Sequence, residues 1–204
     1  MRITMGRWSR LAALGAGVAT AIAVATTAAG PALADTADTG GTATITMGGA
    51  YATSLAKAGI VVFASGTATS SWNNGAVSYN LSVTNGTGEV SNFFGFVNFG
   101  GKLRVVNGQN GKAVVLAGLS LSFDTGIVSA KPVGATSRVS LADIGGSLST
   151  STSAGPPPTE TFSCDALTLD SAGASYLDSK LGTKAFKAGA VLGGFTTTFT
   201  VTIT

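Results

Sequence analysis

The chain has 204 residues, among them 12 basic and 9 acidic side chains, one cysteine and no histidine. Transition-metal sites need clustered His, Cys or carboxylate ligands, and serine hydrolases need a general base, so this composition argues against both classes. After position 34 the basic and acidic residues balance, and the basic ones are scattered. Without a basic patch, neither nucleic acid nor an anionic membrane is an expected partner.

The first 34 residues have the pattern of a secretory signal peptide. A head containing Arg2, Arg7 and Arg10 precedes an apolar run at 11–29, and the small residues of 31–34 form an A-x-A site. The alternative is a membrane anchor, but the run is rich in Ala, Gly and Thr and ends in a cleavage motif. We therefore predict cleavage after residue 34, no membrane span in the mature chain, and an extracellular, secreted protein.

The mature chain begins with residues 35–42, whose small polar side chains and two glycines predict a flexible lead-in. Alternation over 43–47 predicts a first strand. One face of a short helix follows, ended by Gly59 and formed by three residues at helical spacing, namely Tyr51, Leu55 and Ala58. The apolar run at 60–65 predicts a buried strand.

Strand signals dominate the middle of the chain. Turn signals at 72–75 and at Asn85-Gly86 enclose a strand with one apolar face, made of Val77, Tyr79, Leu81 and Val83. From Glu89 to Asp143, short alternating runs are cut at regular intervals by Gly, Asn or Pro. For example, one face carries Leu119, Leu121 and Phe123, and the other carries Ser120, Ser122 and Asp124. This spacing is typical of an antiparallel sheet.

The C-terminal part repeats the beginning of the domain. Residues 145–162 are rich in Ser, Thr and Gly with three central prolines, which predicts a loop. Residues 168–182 then match the strand–helix pattern of 46–59, and Asp170 is the expected N-cap of the second helix. Alternation over 198–204 predicts a terminal strand. We therefore expect one mainly β domain over 43–204, an antiparallel β-sandwich or flattened barrel with two short helices.

Two Asp-Thr-Gly triplets, at Asp38 and Asp124, resemble the aspartic-protease motif. That chemistry needs two carboxylates sharing a proton in matching loops, and Asp38 falls in the predicted lead-in. A turn at the end of a strand explains Asp124 better. The acids are too dispersed for a metal site as well. We predict no catalytic residues, no metal ligands and no enzymatic activity.

The strongest apolar concentration consists of Phe93, Phe94, Phe96 and Phe99. Most of these rings are expected in the core, and the alternative is an apolar ligand groove that contains Phe94, Phe96 and Phe99. The single cysteine, Cys164, lies between Phe162 and Leu167, which predicts a segment docked on the sheet. We expect a shielded thiol and a monomer. The alternative is an exposed thiol that forms a mixed disulfide or a dimer.

Taken together, several stretches resemble the HtaA-type domain of secreted and cell-surface proteins in actinobacteria, particularly its divergent exported relatives. The matching segments are TITMGGAYATSLAKAGIVV, NFGGKLRVVN, AVVLAGLSLSFDTGIVSA, SRVSLADI and LTLDSAGASYLDSKLGTKAFKAGAVLGG. They cover most of the mature chain and consist of packing and turn features. The resemblance implies a β-rich fold and, by the family's characterised members, haem binding at the cell surface for iron acquisition.

In that family a Tyr binds the haem iron and a His from a Gly-His strand–turn supports it. This chain has no His, and the corresponding turn reads Asn98 to Lys102. Among its three phenols, Tyr51 is nearest the ligand region, although a core aromatic on the helix face explains it better. We therefore expect an exported, non-catalytic binding or interaction protein whose partner is a surface protein, a wall polymer or a small apolar ligand. The alternative is a haem carrier that uses Tyr51 without His support.

Overall fold

The computed structural model describes residues 37–202, which form ten strands and two helices. The predicted signal peptide and Ile203 lie outside these residues. The elements in chain order are β1 (Ala37–Met47), α1 (Gly49–Lys57), β2 (Ile60–Ser65), β3 (Thr69–Asn73), β4 (Ala76–Gly86), β5 (Phe96–Asn107), β6 (Ala113–Ser122), β7 (Ile127–Pro132), β8 (Val139–Ser153), β9 (Thr159–Leu169), α2 (Ser171–Leu181) and β10 (Val191–Thr202).

Eight of the strands close into an antiparallel barrel. Their order is β5-β6-β7-β8-β9-β10-β1-β4, and β4 pairs again with β5. The two remaining strands lie beside this closure, β2 on β5 and β3 on β4. Leu119, Leu121 and Phe123 are all buried, as their alternation predicts. The predicted mainly β fold, a flattened antiparallel barrel with two short helices, is confirmed.

Both helices lie at one end of the barrel, called here the helix end. They follow β1 and β9, which run parallel because each pairs antiparallel with β10. The predicted strand–helix repeat is therefore present. Asp170 caps α2 by accepting a hydrogen bond from the Ala172 backbone N–H at 2.7 Å, and Gly182 ends the helix with a φ of 61°. The predicted cap and the matching glycine Gly59, with a φ of 74°, are confirmed.

The opposite end, called here the loop end, contains the segment 87–95 and an aromatic core. Phe162 is fully buried and contacts the edge of Phe123, with ring centroids 5.4 Å apart and planes at 80°. Phe195 and Phe199 extend the same cluster from β10. Such edge-to-face contacts add to the stabilisation that ring burial provides.

The expectation of a flexible lead-in at 35–42 is wrong for the residues described. Residues 37–42 belong to β1 and pair with β10 over this stretch, while Asp38 also pairs with Gly86 of β4. A strand with a partner on each side has its backbone groups satisfied, so small polar side chains do not prevent its ordering. Asp38 is consequently buried rather than solvated.

Two predicted irregular segments are also strands. Asn85-Gly86 continues β4, because these residues pair with Asn98 and Val97. The predicted loop at 145–162 is a hairpin in which β8 and β9 pair from Ala142 to Ser153, with only its tip at the prolines. The Ser and Thr side chains are compatible with an exposed strand, although they give no apolar alternation that would predict one. Pairing with the neighbouring strand stabilises the extended backbone. The turn predicted at 72–75 is reduced to Asn74 and Gly75, both with positive φ.

Candidate functional site

The barrel wall opens where β4 and β5 diverge. These strands pair only between Val83–Gly86 and Val97–Phe99. Beyond that point β4 pairs with β3 and β5 pairs with β2. A short turn at 66–68 connects β2 with β3, yet no ladder joins these two strands among the described residues. Toward the helix end the sheet therefore separates into two parts, one in which β3 pairs with β4 and one in which β2 pairs with β5.

Helix α1 crosses the open side of this split. Its first residue, Gly49, lies against the β3–β4 turn, where an added Cβ would be 2.8 Å from the carbonyl oxygen of Gly75. Its last residue leads through Gly59 into β2. The Gly48 N–H is held by the carbonyl of Leu192 at 2.9 Å, which fixes the start of the helix to β10. The split is thus bounded on three sides by α1, β2 and β3.

A groove of about 670 Å³ occupies this space and is called here the α1 groove. This volume lies within the usual range for small-molecule sites. Small side chains of the helix form one wall, and apolar side chains of the barrel form the base. The groove is lined by Met47, Ala52, Thr53, Leu55, Ala56, Lys57, Ile60, Val61, Val62, Ser70, Ser71, Trp72, Val77 and Tyr79.

Trp72 is the most informative residue of the groove. It pairs with Val77 and therefore shares the face of the β3–β4 hairpin that carries Tyr79, a buried core residue. A side chain on that face is normally covered, but Trp72 is 69% exposed, on a strand that forms a ladder with β4 and none with β2 among the described residues. An indole exposed beside an apolar concave surface offers a large contact area at low conformational cost.

Two hydrogen bonds to backbone carbonyls hold β2, the strand that borders the groove. The Tyr79 hydroxyl donates to the carbonyl of Val62 at 3.2 Å, and the Gly108 N–H donates to the carbonyl of Gly59 at 2.8 Å. The second bond fixes the register of the β2–β5 ladder, in which Val62 directs its backbone groups away from β5. The edge of β2 is therefore turned toward β3, and Tyr79 satisfies one of its carbonyls.

An inner cavity of about 100 Å³ lies in the barrel beneath the groove, and its walls are apolar. Met47, Leu55, Val62 and Tyr79 line both spaces and form a common wall. The remaining lining comes from the barrel strands, from α2, from Tyr51 of α1 and from Phe186, which follows α2. The groove and the cavity are therefore separated by one layer of side chains.

Tyr51 lies at the inner cavity rather than in the α1 groove. Burial raises the pKa of its phenol to about 12, and the negative charge of Asp178 acts in the same direction. Its hydroxyl oxygen is buried with no hydrogen-bond partner in the part of the chain that the structure describes. Iron ligation by Tyr requires a phenolate, which this environment disfavours. Tyr51 does not fit the role of a haem ligand.

The other two phenols are engaged elsewhere. Tyr79 donates to Val62, and burial raises its pKa. Tyr176 lies on α2, with the Lys180 ammonium 5.9 Å from its ring centre. Over residues 38–201, whose side chains are described, no group of three His, Cys, Asp or Glu side chains could hold a metal ion.

The three phenylalanines of the alternative groove, Phe94, Phe96 and Phe99, do not share a face. Phe99 is buried in the core, whereas Phe94 and Phe96 are exposed at the loop end. The odd spacing between 96 and 99 explains the difference, since side chains alternate along a strand. Phe93 packs against Phe162 with a centroid distance of 6.3 Å. The site that the structure offers is instead the α1 groove, whose main aromatic residue, Trp72, was assigned to a turn.

Cys164 is buried, and its β9 position pairs with Phe195 of β10 and Leu148 of β8. Burial raises the pKa of this thiol, which makes it less reactive. The predicted shielding is confirmed.

Two carboxyl groups, that of the buried Asp38 and that of the half-buried Glu160, hold the segment 87–95 at the loop end. Asp38 accepts a hydrogen bond from the Gly88 N–H, and Glu160 accepts one from the Val90 N–H at 2.9 Å. Burial raises the pKa of Asp38 to about 7, assisted by the charge of Glu160 and opposed by the Gly88 hydrogen bond. Asp124, in the second Asp-Thr-Gly triplet, is exposed at a turn. The two triplets do not form matching loops.

Neither helix within residues 37–202 has the length and apolar character that crossing a bilayer would require. No protein-family model matches the chain, and no curated protein matches its sequence significantly. Among solved structures, the C-terminal domain of HtaA from Corynebacterium glutamicum is similar, with a TM-score of 0.52 and 15% identity over 81% of this chain and 99% of that domain. The fold is that of the HtaA C-terminal domain.

The resemblance seen in the sequence is thereby confirmed at the level of the HtaA-type fold. The haem-binding protein HtaB from the same organism is also similar, with 15% identity over 81% of this chain and 94% of that one, at a TM-score of 0.48. At this identity the match concerns the architecture, and the chemistry has to come from the residues of this chain.

Proposed function

We propose that this chain is an exported, non-catalytic binding protein with the HtaA-type fold, and that its ligand is a small molecule with a large apolar surface held in the α1 groove. The exposure of Trp72 on a core-facing side of the sheet is the observation that carries this proposal. Export rests on the signal-peptide pattern of residues 1–34.

The absence of assembled catalytic groups supports a binding role. The chain contains no histidine, and its one thiol is buried. The groove is lined by a single ionisable cation, Lys57, and by no carboxylate. General acid–base chemistry needs a group that exchanges a proton near the operating pH within reach of the ligand, and the groove offers none.

The concave geometry favours a small ligand over a wall polymer or a surface protein. The groove is closed by α1, β2 and β3 on three sides, so a long polymer could not pass straight through it. A flat protein surface would contact Trp72 and Val61 and leave the base of the groove empty. We propose that the protein acts as a monomer, since each chain carries a complete groove.

Haem is the second candidate ligand, because the sequence resembles the HtaA-type family. The volume of the groove and the exposed indole suit a flat apolar ring. No phenol or imidazole of the described residues lines the groove in a form that could bind iron, so haem would be held by apolar contact. Replacing Tyr51 by Phe would then leave hemin binding unchanged.

A fluorescent reporter tests the binding role. Anilinonaphthalene sulfonate gains emission when it enters an apolar site, and we expect it to bind the folded chain saturably at one site. Ala56→Leu places a larger side chain in the groove and should weaken reporter binding about tenfold or more. Ala172→Leu is the matched control, because Ala172 is an exposed alanine on α2 outside the groove.

Equal reporter affinity in the two variants would show that the groove is not the binding site. Competition by hemin, followed by the Soret band, separates the two ligand candidates. A saturable Soret change that is lost in Ala56→Leu and kept in Tyr51→Phe would favour haem in the groove. Loss of that change in Tyr51→Phe would instead favour iron ligation by the phenol.

A further inference from the structure

The common wall between the α1 groove and the inner cavity bears on the kind of ligand. The cavity is too small for a ring system of any size, since engineered apolar cavities of about 150 Å³ hold a single benzene molecule. At about 100 Å³ it can take the end of a narrow chain. Because it lies directly under the groove, such a chain would reach it from solvent once the common wall opened.

The wall contains side chains of different mobility. Tyr79 is tied to Val62 by its hydroxyl, so this part of the wall is fixed. The apolar side chains of Met47 and Leu55 make no such hydrogen bond, and a methionine thioether adapts readily to a new neighbour. A rotamer change of Met47, which is only partly buried, would connect the groove with the cavity.

The charges on this path decide the direction in which a ligand enters. The inner cavity has apolar walls, and transferring a carboxylate into it without a partner would be very costly. The groove is lined by one charge, the ammonium of Lys57, at the last position of α1. No acidic side chain lines the groove to neutralise it. The site therefore fits a molecule with an anionic head at the rim and an apolar tail inside.

We propose that the α1 groove and the inner cavity form one site for a fatty acid. The carboxylate pairs with Lys57, the first part of the chain contacts Trp72 and the alanines of α1, and the methyl end displaces Met47 and fills the inner cavity. This inference rests on the proposed function, since it specifies the ligand of the same groove. It differs from the haem candidate in requiring a narrow flexible tail.

Dodecanoate, kept below its critical micelle concentration, is the probe. The full-length chain is used, and displacement of anilinonaphthalene sulfonate reports dodecanoate binding. In a Trp8→Phe background Trp72 is the only tryptophan, so its emission should shift to the blue as the tail covers the indole. Butanoate, which carries the same head without the long tail, should displace the reporter at least a hundredfold more weakly.

Substitutions in the inner cavity and at Lys57 test the binding of the tail and of the head separately. Ala142→Val adds volume to the wall of the inner cavity and should weaken dodecanoate at least fivefold while leaving reporter binding unchanged. Val128→Ile is a milder change of the same wall, used if Ala142→Val lowers the thermal midpoint. Lys57→Gln should weaken dodecanoate severalfold more than it weakens the neutral dodecanol.

The outcomes distinguish this inference from the proposed function. If the reporter binds and dodecanoate does not displace it, the fatty-acid site is wrong while the binding role stands. If neither binds, the binding role itself fails. If dodecanoate binds folded Ala142→Val or Val128→Ile as tightly as it binds the unaltered chain, the tail does not reach the cavity and the inference is overturned.

Discussion

Replacing Asp38 by Asn should make this protein markedly more stable at alkaline pH. Asp38 is fully buried under segment 87–95, and its second carboxyl oxygen has no hydrogen-bond partner among the described residues. Burial in this setting, together with the charge of Glu160, raises its pKa from 3.8 to about 7. Burial also raises the pKa of Glu160, whose other charged neighbour is Glu89. Burial therefore shifts both carboxyl groups toward the protonated form, relative to their ordinary pKa values.

The sign of the pH effect follows from this direction. A carboxyl group with a higher pKa in the folded state stabilises the fold below the unfolded pKa, and that stabilisation is lost as the pH rises through the folded pKa. For Asp38 the loss takes place between about pH 4 and pH 7. The full difference corresponds to roughly 4 kcal/mol, and relaxation of the surrounding segment should reduce it to about 2–4 kcal/mol.

Asparagine keeps the oxygen that accepts from the Gly88 N–H and has no charge at any pH. We expect Asp38→Asn to be close to the unaltered protein at pH 4 and about 2–4 kcal/mol more stable at pH 8. Urea unfolding at several pH values measures this free energy. Asp124→Asn, from the exposed second triplet, is the control and should change stability by less than about 0.5 kcal/mol. A parent protein that gains stability from pH 4 to pH 8, or an Asp38→Asn variant less stable at pH 8, would refute the reasoning.

Three further outcomes can be checked by unfolding and labelling. Asp170→Ala removes the hydrogen bond to the Ala172 N–H at the start of α2 and should lower the free energy of unfolding by about 1 kcal/mol in urea. Asp170→Ser, which keeps a cap, should restore most of it. Tyr51→Phe removes a buried hydroxyl without a partner and should leave the thermal midpoint unchanged or slightly higher; a loss above about 1 kcal/mol would indicate a partner for that hydroxyl. Cys164 should react with a thiol reagent only on the timescale of unfolding, and fast labelling of the native chain would contradict its burial.

Most of the fold could be predicted from patterns within short stretches of the sequence. The alternation at Leu119, Leu121 and Phe123 predicts a half-buried strand because each side chain's environment is set by its own position in the pleat. The Asp170 cap and the glycine after each helix are similarly local, since the groups they satisfy lie within a few residues. These features depend little on distant parts of the chain, and all of them were found at the predicted positions.

The candidate site could not be predicted in the same way. Trp72 stands beside Asn73, Asn74 and Gly75, and these neighbours favour a turn. Its exposure arises because β3 pairs with β4 and β2 pairs with β5, while β2 and β3 do not pair with each other. The pairing of these strands depends on residues that are far apart in the sequence. The lead-in expectation for Asp38 is wrong for the same reason, since its burial depends on β4 and β10, which are distant in the sequence.

The contact between Gly49 and the β3–β4 turn sets the aperture of the binding site. An alanine at position 49 would bring a methyl group within 2.8 Å of the carbonyl oxygen of Gly75, a distance that neither backbone could keep. The start of α1 would have to swing away from the hairpin that carries Trp72. Every residue larger than glycine at this position would therefore act as a wedge, and a family of such variants would offer progressively wider entrances to the same barrel.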